Sequence, residues 1–455
     1  ETFPPKEISL PDESWRTDPV QEKIAMAIDS PALPPLWLSG NKIHDIAFCV
    51  DFLLRFELRC INGTFFDMNG VVSDSKIEND IYEILKPFIS SGITNKIKQL
   101  IATLRLEAYG TFPEIDINKI HLANGTLNTD GTFTTEKFYC TNRLNVDYNS
   151  SAATPNKFLS YINDLFIDED IPTIQEWLGY LLIPCTKAQK MLMLIGNGGE
   201  GKSRLGILLK SIFGTGLSTG NLQSLETNRF ARATLENAYV FIDDDMKMEA
   251  LPQTNMLKTI VTAESEVEIE RKNIQSYQTK IFTRIMAFGN GTLSSLYDKS
   301  DAFYRRQIII TTKQKPESRI DDPFLTEKMI AEREGIFLWA YEGLQRLVEN
   351  NFRFTISERA KQNLIQSMED NCNIITFLKA SDWIDFIPNA FISTKDLYAH
   401  YVWWCEENCE KPMIQRTFSS FINQNLEKYH LRIDTNGQSS SGRRARGYRG
   451  ISKHE

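Results

Sequence analysis

Met191-Leu192-Met193-Leu194-Ile195-Gly196-Asn197-Gly198-Gly199-Glu200-Gly201-Lys202-Ser203 is the stretch that decides the fold. Its opening apolar run, Met191 to Ile195, has the pattern of a strand buried on both faces of a parallel sheet. Gly196 to Ser203 then fits G-x-x-x-x-G-K-[ST], a P-loop (Walker A) pattern whose backbone N–H groups turn inward around phosphate oxygens. Lys202 reaches the β- and γ-phosphates in such a loop, and the Ser203 hydroxyl ligates Mg2+. A helix from about Arg204 to Phe213 presents its positive N-terminus to the same anion. The expected nucleotide-binding set is therefore Gly196, Asn197, Gly198, Gly199, Glu200, Gly201, Lys202, Ser203 and Arg204, with ATP and Mg2+ as cofactors. A glycine-rich turn with an accidental Lys-Ser is the plainer alternative, but a chance match in a chain of this length has a probability of roughly one or two per cent.

Two further apolar runs follow the same design. Tyr239-Val240-Phe241-Ile242 leads into Asp243-Asp244-Asp245, and Ile285-Met286-Ala287-Phe288 leads into Gly289-Asn290. Ligands collect at the carboxyl ends of strands in open α/β sheets. Asp243 is expected to hold the metal, and Asp244 to orient or deprotonate an attacking water, as in a Walker B element. A slip by one residue, to Asp244 and Asp245, stays open. Asn290 could hydrogen-bond the γ-phosphate and hold that water. Arg305-Arg306 precede a fourth run, Ile308-Ile309-Ile310, where an arginine stabilising transition-state charge from a neighbouring subunit would sit. A pair of plain surface arginines is the alternative there. The candidate catalytic residues are thus Lys202, Asp243, Asp244, Asn290, Arg305 and Arg306, with Ser203 and Asp243 as metal ligands.

Composition bounds the rest. At roughly 100–200 residues per domain, a chain of 455 residues suggests two to four domains. Hydrophobic residues at 42% and charged residues at 24% describe an ordinary globular chain. No apolar run approaches the roughly 18–20 residues of a membrane span, so no membrane partner is expected. The opening Glu1-Thr2-Phe3-Pro4-Pro5 does not read as a secretory signal, and the missing initiator Met points to a processed chain or a fragment of a longer one. Seven cysteines fit reduced, buried thiols in a cytosol better than a disulfide framework. Cys405, Cys409 and His400 offer three zinc donors where a structural site needs four. The net charge is −8, yet Arg432, Arg443, Arg444, Arg446, Arg449 and Lys453 gather near the end of the chain. A local basic element on an acidic body can still bind DNA.

The fold class read from these patterns is α/β, in four segments. Residues 1–40 are proline-rich and read as an extended arm or linker. Residues 41–165 are mixed, with helices over Asp45–Leu54 and Ile77–Leu85 and hairpin dipeptides at Asn62-Gly63, Asn124-Gly125 and Asp130-Gly131, and form the segment that the resemblance named below makes an accessory domain. Residues 166–355 hold the ATPase motifs, after an amphipathic helix from Gln175 to Ile183. In residues 356–455, Ser393-Thr394-Lys395-Asp396 caps one helix and a second runs from about Gln415 to Tyr429. A short strand, His430 to Asp434, and a Gly/Ser/Arg loop come next. Helix, helix, strand and basic wing form a winged-helix reading. Gln415, Arg416, Thr417, Ser419 and Ser420 would face a major groove, and Arg443, Arg444, Arg446 and Arg449 would meet phosphates or a minor groove. The plainer alternative is a disordered basic tail on a helical cap.

The order of glycine loop, carboxylate pair, polar-tipped strand and arginine resembles the superfamily 3 helicases of viruses, phages and plasmids. More narrowly, it resembles the helicase region of phage/plasmid-type primase–helicases, related to the poxvirus helicase–primase. The residues that carry it are Gly196 to Ser203, Asp243-Asp244, Asn290 and Arg306. Glu268-Ile269-Glu270-Arg271-Lys272-Asn273 fits the slot of the family's DNA-contacting hairpin, with Arg271, Lys272 and Asn273 as its DNA-facing residues; Thr262-Ala263-Glu264-Ser265 replaces the commoner Gly-Asp lead-in. Upstream, Asn124 to Leu127, Val146 to Tyr148 and Glu176 to Tyr180 look like the family's accessory domain. The resemblance implies an AAA+ core with a mostly parallel sheet, between a mixed or helical accessory domain and the winged-helix-like end. It implies a homo-oligomeric, hexameric ring with ATP between subunits, single-stranded DNA in the central channel and 3′→5′ travel. Duplex origin DNA would dock on the C-terminal domain, and a primase or polymerase would be a partner, since no separate segment of this chain is left for a primase site. The other readings are a P-loop ATPase that remodels or packages without unwinding, and a nucleotide-switched origin-binding protein.

Overall fold

The computed structural model describes residues 35–40, 42–111, 115–247, 251, 253–271, 274–293, 295, 301–438 and 442–454. Most of the expected arm, residues 1–40, lies outside them. The chain divides into two compact units, one reaching residue 67 and including 72–111, the other built from 68–71 and the chain from 112 onward.

In the smaller unit, helices α1 (Asp45–Phe56), α2 (Asp74–Leu85) and α3 (Ile93–Glu107) pack with a hairpin of β1 (Arg59–Ile61) and β2 (Thr64–Asp67). Asn62 and Gly63 turn that hairpin with φ of 47° and 73°, the left-handed pair a tight primed turn needs. Apolar residues one helical turn apart build the core: Phe48 and Phe52 of α1, Ile77, Ile81 and Leu85 of α2, Leu100 and Leu104 of α3. Ser73 caps α2 by accepting from the Lys76 backbone N–H at 3.3 Å.

The larger unit begins with β3 (Lys119–Leu122) and β4 (Gly125–Asn128), then α4 (Asn156–Leu165) and α5 (Ile171–Leu181). The central strands are β5 (Met191–Ile195), β6 (Leu217–Thr219), β7 (Val240–Met246), β10 (Arg284–Gly289) and β11 (Gln307–Thr311). They form one parallel five-stranded sheet in the order β6-β7-β10-β5-β11. Helices α6 (Lys202–Phe213), α7 (Leu222–Thr227) and α8 (Asn255–Thr262) and the hairpin β8 (Val267–Arg271)/β9 (Ile274–Thr279) lie between the strands in sequence.

Alternation along the strands assigns each side chain to one of two cores. Leu192, Leu194, Val240, Ile242, Met286, Phe288, Ile308 and Ile310 point to the core they share with α5 and α6. Met191, Met193, Ile195, Phe241, Ile285, Ala287 and Ile309 point to the other, with α7, α8 and the hairpin. The first core also takes in Ile120, Leu122, Leu127, Leu144, Val146, Phe158 and Ile162. The expected boundary at residue 165 is therefore not where the chain divides: residues 115–165 bury their apolar side chains beside the sheet, and the division falls near residue 111.

Helix α5 differs from its amphipathic expectation because it is buried on nearly every side. It crosses α11 (Arg333–Glu349), which follows α9 (Asp301–Tyr304) and α10 (Leu325–Ala331). A Cβ on Gly179 would lie 2.4 Å from the Ala340 carbonyl oxygen, so the two backbones touch there. Glu176 is fully buried in this crossing, where Arg346 Nε donates to it at 2.7 Å and the Thr355 N–H at 2.7 Å.

The C-terminal stretch runs α12 (Glu358–Asn371), α13 (Asn373–Lys379), β12 (Phe391–Ser393), α14 (Thr394–Glu407), α15 (Gln415–Gln424), β13 (Arg432–Gln438) and β14 (Arg444–Arg449). The three strands make an antiparallel sheet in the order β12-β14-β13 over a core that includes Phe377, Leu397, Tyr401, Phe418 and Tyr448. Ser393 caps α14 as expected, accepting from the Asp396 N–H at 3.0 Å. Helix α15 stops at Gln424 rather than Tyr429, and His430, at φ 55°, turns the chain before β13. The arginine-rich segment is a strand, where a loop or tail was expected. No described helix is long and apolar enough to cross a membrane.

Candidate functional site

The loop Gly196–Gly201 joins β5 to α6. Gly198, Gly199 and Gly201 have φ of 100°, 81° and 110°, a curl that L side chains resist. Gly196 is fixed by proximity: a Cβ there would lie 2.3 Å from Thr312 Oγ1 and 2.7 Å from Lys202 Nζ. Its N–H donates to the Gly289 carbonyl at 3.0 Å, which ties the loop to the tip of β10. From outside, the Tyr161 hydroxyl donates to the Gly201 carbonyl at 3.0 Å and the Arg319 guanidinium to the Glu200 carbonyl at 3.0 Å. With carbonyls held outward, the N–H groups of Asn197 and Gly198 converge on one point.

An anion already occupies that point. The Glu200 carboxylate accepts from the N–H groups of Asn197 and Gly198, the latter at 3.0 Å, and from Lys202 Nζ at 2.9 Å. Both Glu200 and Lys202 are buried, at 3% and 8% exposure. Burial pushes the Glu200 carboxyl up, but the Lys202 ammonium and the loop N–H groups outweigh it and hold the group below the usual carboxylate range. The arrangement is thus a cradle for a negatively charged group with a matched cation.

Strand order decides which other predicted residues join it. β10 lies between β5 and β7, with Gly289 opposite Ile195 on one side and Met246 on the other. Neighbouring strands are about 4.8 Å apart, so Asn290, just past Gly289, sits between the loop and the Asp243 edge. Asn290 and Ser203 are exposed there. Asp243 is buried and its Oδ2 accepts from the Leu222 N–H at 2.8 Å. Burial, with Asp244 and Asp245 next to it, pushes its carboxyl above the usual range, against the pull of that N–H. Asp244 and Asp245 are exposed.

Arg305 and Arg306 are not brought to this edge. They immediately precede β11, and the Arg306 carbonyl accepts from the Met191 N–H at 2.8 Å, at the amino end of the sheet. A strand of this length spans roughly 16 Å at about 3.3 Å per residue, so within one chain they are a full strand length from the loop. The Arg306 guanidinium donates to the Ala302 carbonyl.

Arg271 closes the hairpin strand β8 and forms an ion pair with Glu236, which also accepts from the Tyr277 hydroxyl. Lys272 and Asn273 lie outside the described residues. In the C-terminal stretch Arg416, Arg443, Arg444 and Arg446 are exposed, while Arg449 Nε donates to Asp434 Oδ2 at 2.6 Å. Cys405 is buried, Cys409 is exposed and His400 Nε2 lies 2.8 Å from the Trp383 carbonyl oxygen, which sets the three zinc candidates to separate tasks. Among the described residues no group of three or more His, Cys, Asp or Glu side chains is placed to hold a metal ion. A divalent ion at Ser203 and Asp243 would need oxygens from phosphate and water, which is how Mg2+ commonly binds.

Sequence reasoning took Glu200 only as part of the loop and missed Tyr161, Arg319 and Thr312. An acid inside an anion cradle was a readable signal for Glu200. The other three approach from far along the chain and left none.

A family of unknown function, DUF5906, matches residues 194–306, about a quarter of the chain, centred on this sheet. No curated protein matches the chain significantly. Among solved structures, the apo structure of the NrS-1 C terminal region is similar over 90% of this chain and 100% of that chain, with a TM-score of 0.53 and 14% identity. An A form apo structure of the same region matches over 89% and 98%, with a TM-score of 0.51 and 14% identity. At that identity the likeness is one of fold.

Proposed function

We propose that this chain is an ATP-driven DNA helicase of the superfamily 3 type, from a phage, plasmid or other mobile element, working as a hexameric ring. One observation carries the reading. The P-loop Gly196–Ser203 forms a buried anion cradle with Lys202, and the strand order carries Asp243 and Asn290 to that same edge while leaving Arg306 at the other. The residues fit Mg2+-ATP. The loop N–H groups and Lys202 would hold the β- and γ-phosphates, and Ser203 and Asp243 the metal ion, which supplies charge neutralisation at the transferred phosphate. Asp244 and Asn290 would orient the attacking water. Arg306 would act on the nucleotide of the adjacent subunit, because its own site is out of reach.

The rest of the chain supports a DNA-acting ring. The β8/β9 hairpin is an antiparallel pair separate from the five-stranded sheet, and would contact single-stranded DNA in the channel during 3′→5′ travel. The C-terminal order of helix, strand, two helices and two strands supports the winged-helix reading, with α15 offering Arg416 and the β13/β14 hairpin offering Arg443, Arg444 and Arg446 to duplex origin DNA. Steady-state ATP hydrolysis with and without single-stranded DNA tests the proposal. Strong stimulation is expected, with loss of roughly 10²–10³ in rate for Lys202→Ala, the usual cost of one preorganised charge-stabilising group. Hydrolysis indifferent to DNA would replace the helicase reading with a remodelling ATPase.

A further inference from the structure

Away from the cradle, the C-terminal stretch holds a cavity of about 550 Å³ lined by Phe386, Lys428, Tyr429, His430, Arg432 and Arg449 among others. That is within the size range of small-ligand sites. Phe386 and Tyr429 stack with centroids 6.0 Å apart and planes 9° from parallel. Phe386 is nonetheless 45% exposed, so the pair offers an open aromatic face. Lys428 Nζ lies 5.6 Å from the Tyr429 ring centroid. Arg449 is held in place by Asp434 at 2.6 Å and the Asn389 carbonyl at 3.0 Å.

Charge at this cavity is unbalanced. Arg432 and Arg449 are register partners on β13 and β14, so two like-charged residues occupy paired strand positions. Like charges in that position destabilise a sheet, and an anion beside both removes the cost. Asp434 offsets one of them; Arg432 and Lys428 still face the cavity. An aromatic face with cations at its rim is how proteins hold unpaired nucleotides, by stacking the base and neutralising the phosphate. A duplex offers no such free base face along its length.

We propose that this cavity takes one unpaired nucleotide of single-stranded DNA, its base on the Phe386–Tyr429 stack and its phosphate on Lys428, Arg432 and Arg449. The proposal rests on the reading that the chain acts on DNA, and adds a grip on the strand outside the ring channel and the duplex-docking face. The test uses the full chain and an oligo-dT carrying a single photoreactive 5-iododeoxyuridine, with crosslinked peptides mapped after irradiation. Crosslinks are expected in the peptides carrying Phe386 or Tyr429. Phe386→Ala should remove them and weaken oligo-dT binding about five- to hundredfold, the range of one lost stacking contact. ATP hydrolysis without DNA should be unchanged, and Phe386→Trp should restore the crosslink, which separates lost stacking from lost folding. Crosslinks found only elsewhere, or an unchanged affinity in Phe386→Ala, would overturn the pocket while leaving the DNA reading intact. If the wild-type chain binds no oligo-dT, both fail together.

Discussion

Lys202 and Arg284 are both buried cations on the central sheet, one just past the carboxyl end of β5 and the other at the amino end of β10, and their partners differ in kind. Lys202 meets a carboxylate, Glu200, whose place a phosphate would take in the proposed function. Arg284 is 2% exposed and lies between the rings of Tyr180 and Tyr239, 5.6 and 5.3 Å from their centroids. Its guanidinium donates to the carbonyls of Phe282 and Leu181. Burial lowers its pKa to about 10, which leaves it charged at neutral pH. A cation held by rings and carbonyls is committed to the fold. A cation held by a displaceable anion is available for chemistry. The two ends of one sheet therefore hold their buried cations differently, and Arg306, at the amino end, would be out of reach of a nucleotide bound at the loop of its own chain.

The largest effect follows from that last point. Arg306→Ala is expected to lower DNA-stimulated ATP hydrolysis by roughly 10³–10⁵, as loss of an arginine finger does, with nucleotide affinity nearly unchanged. If each site borrows its arginine as proposed, mixing the variant with wild type should depress activity more steeply than its fraction in the mixture. Normal turnover in Arg306→Ala would make the amino end purely structural.

His121 probes the same end by pH. It lines a cavity with Tyr239 and Cys140, and burial, helped by Arg143 and Lys119, pushes its pKa down to about 4. In the unfolded chain the imidazole titrates near 6.5. A depressed folded value means the contribution is whole above about pH 6.5 and is lost as pH falls toward 4, by up to about 3 kcal/mol. Urea unfolding of wild type against His121→Gln checks it: the gap between them should shrink by about that amount between pH 7 and pH 4. A constant gap would mean that His121 titrates alike in the folded and the unfolded chain.

What the sequence showed of all this depended on range. The glycine loop, the apolar strand runs and the Asn62-Gly63 turn are local, and residues 191–203 stated strand, loop and helix start almost to the residue. Asp243 and Asn290 were readable as strand tips, but only the order β6-β7-β10-β5-β11 says that they share an edge and that Arg306 does not. The boundary near residue 111 had no local sign, because Ile120, Leu127 and Phe158 look alike whether they bury into their own domain or beside the sheet. Nothing local marks Arg284, since the two tyrosines that enclose it come from distant parts of the chain.

Glu200 gives the smallest effect and the sharpest test of the functional end. Its carboxylate occupies the N–H groups and the ammonium that a phosphate would need, so in the proposed site it would compete with nucleotide. Glu200→Gln keeps the shape and removes the charge. Nucleotide titrations should show binding about tenfold tighter, ~1.4 kcal/mol, the scale of one charge-assisted hydrogen bond no longer given up. The wild-type carboxyl is held below the ordinary range, so its contact with Lys202 is present above the usual glutamate pKa and is lost only as pH falls through the lowered value. The ratio of the two affinities should therefore stay flat from about pH 6 to pH 8. Weaker binding in Glu200→Gln would give the carboxylate the opposite role, a strut that keeps the loop open for phosphate rather than a stand-in for it.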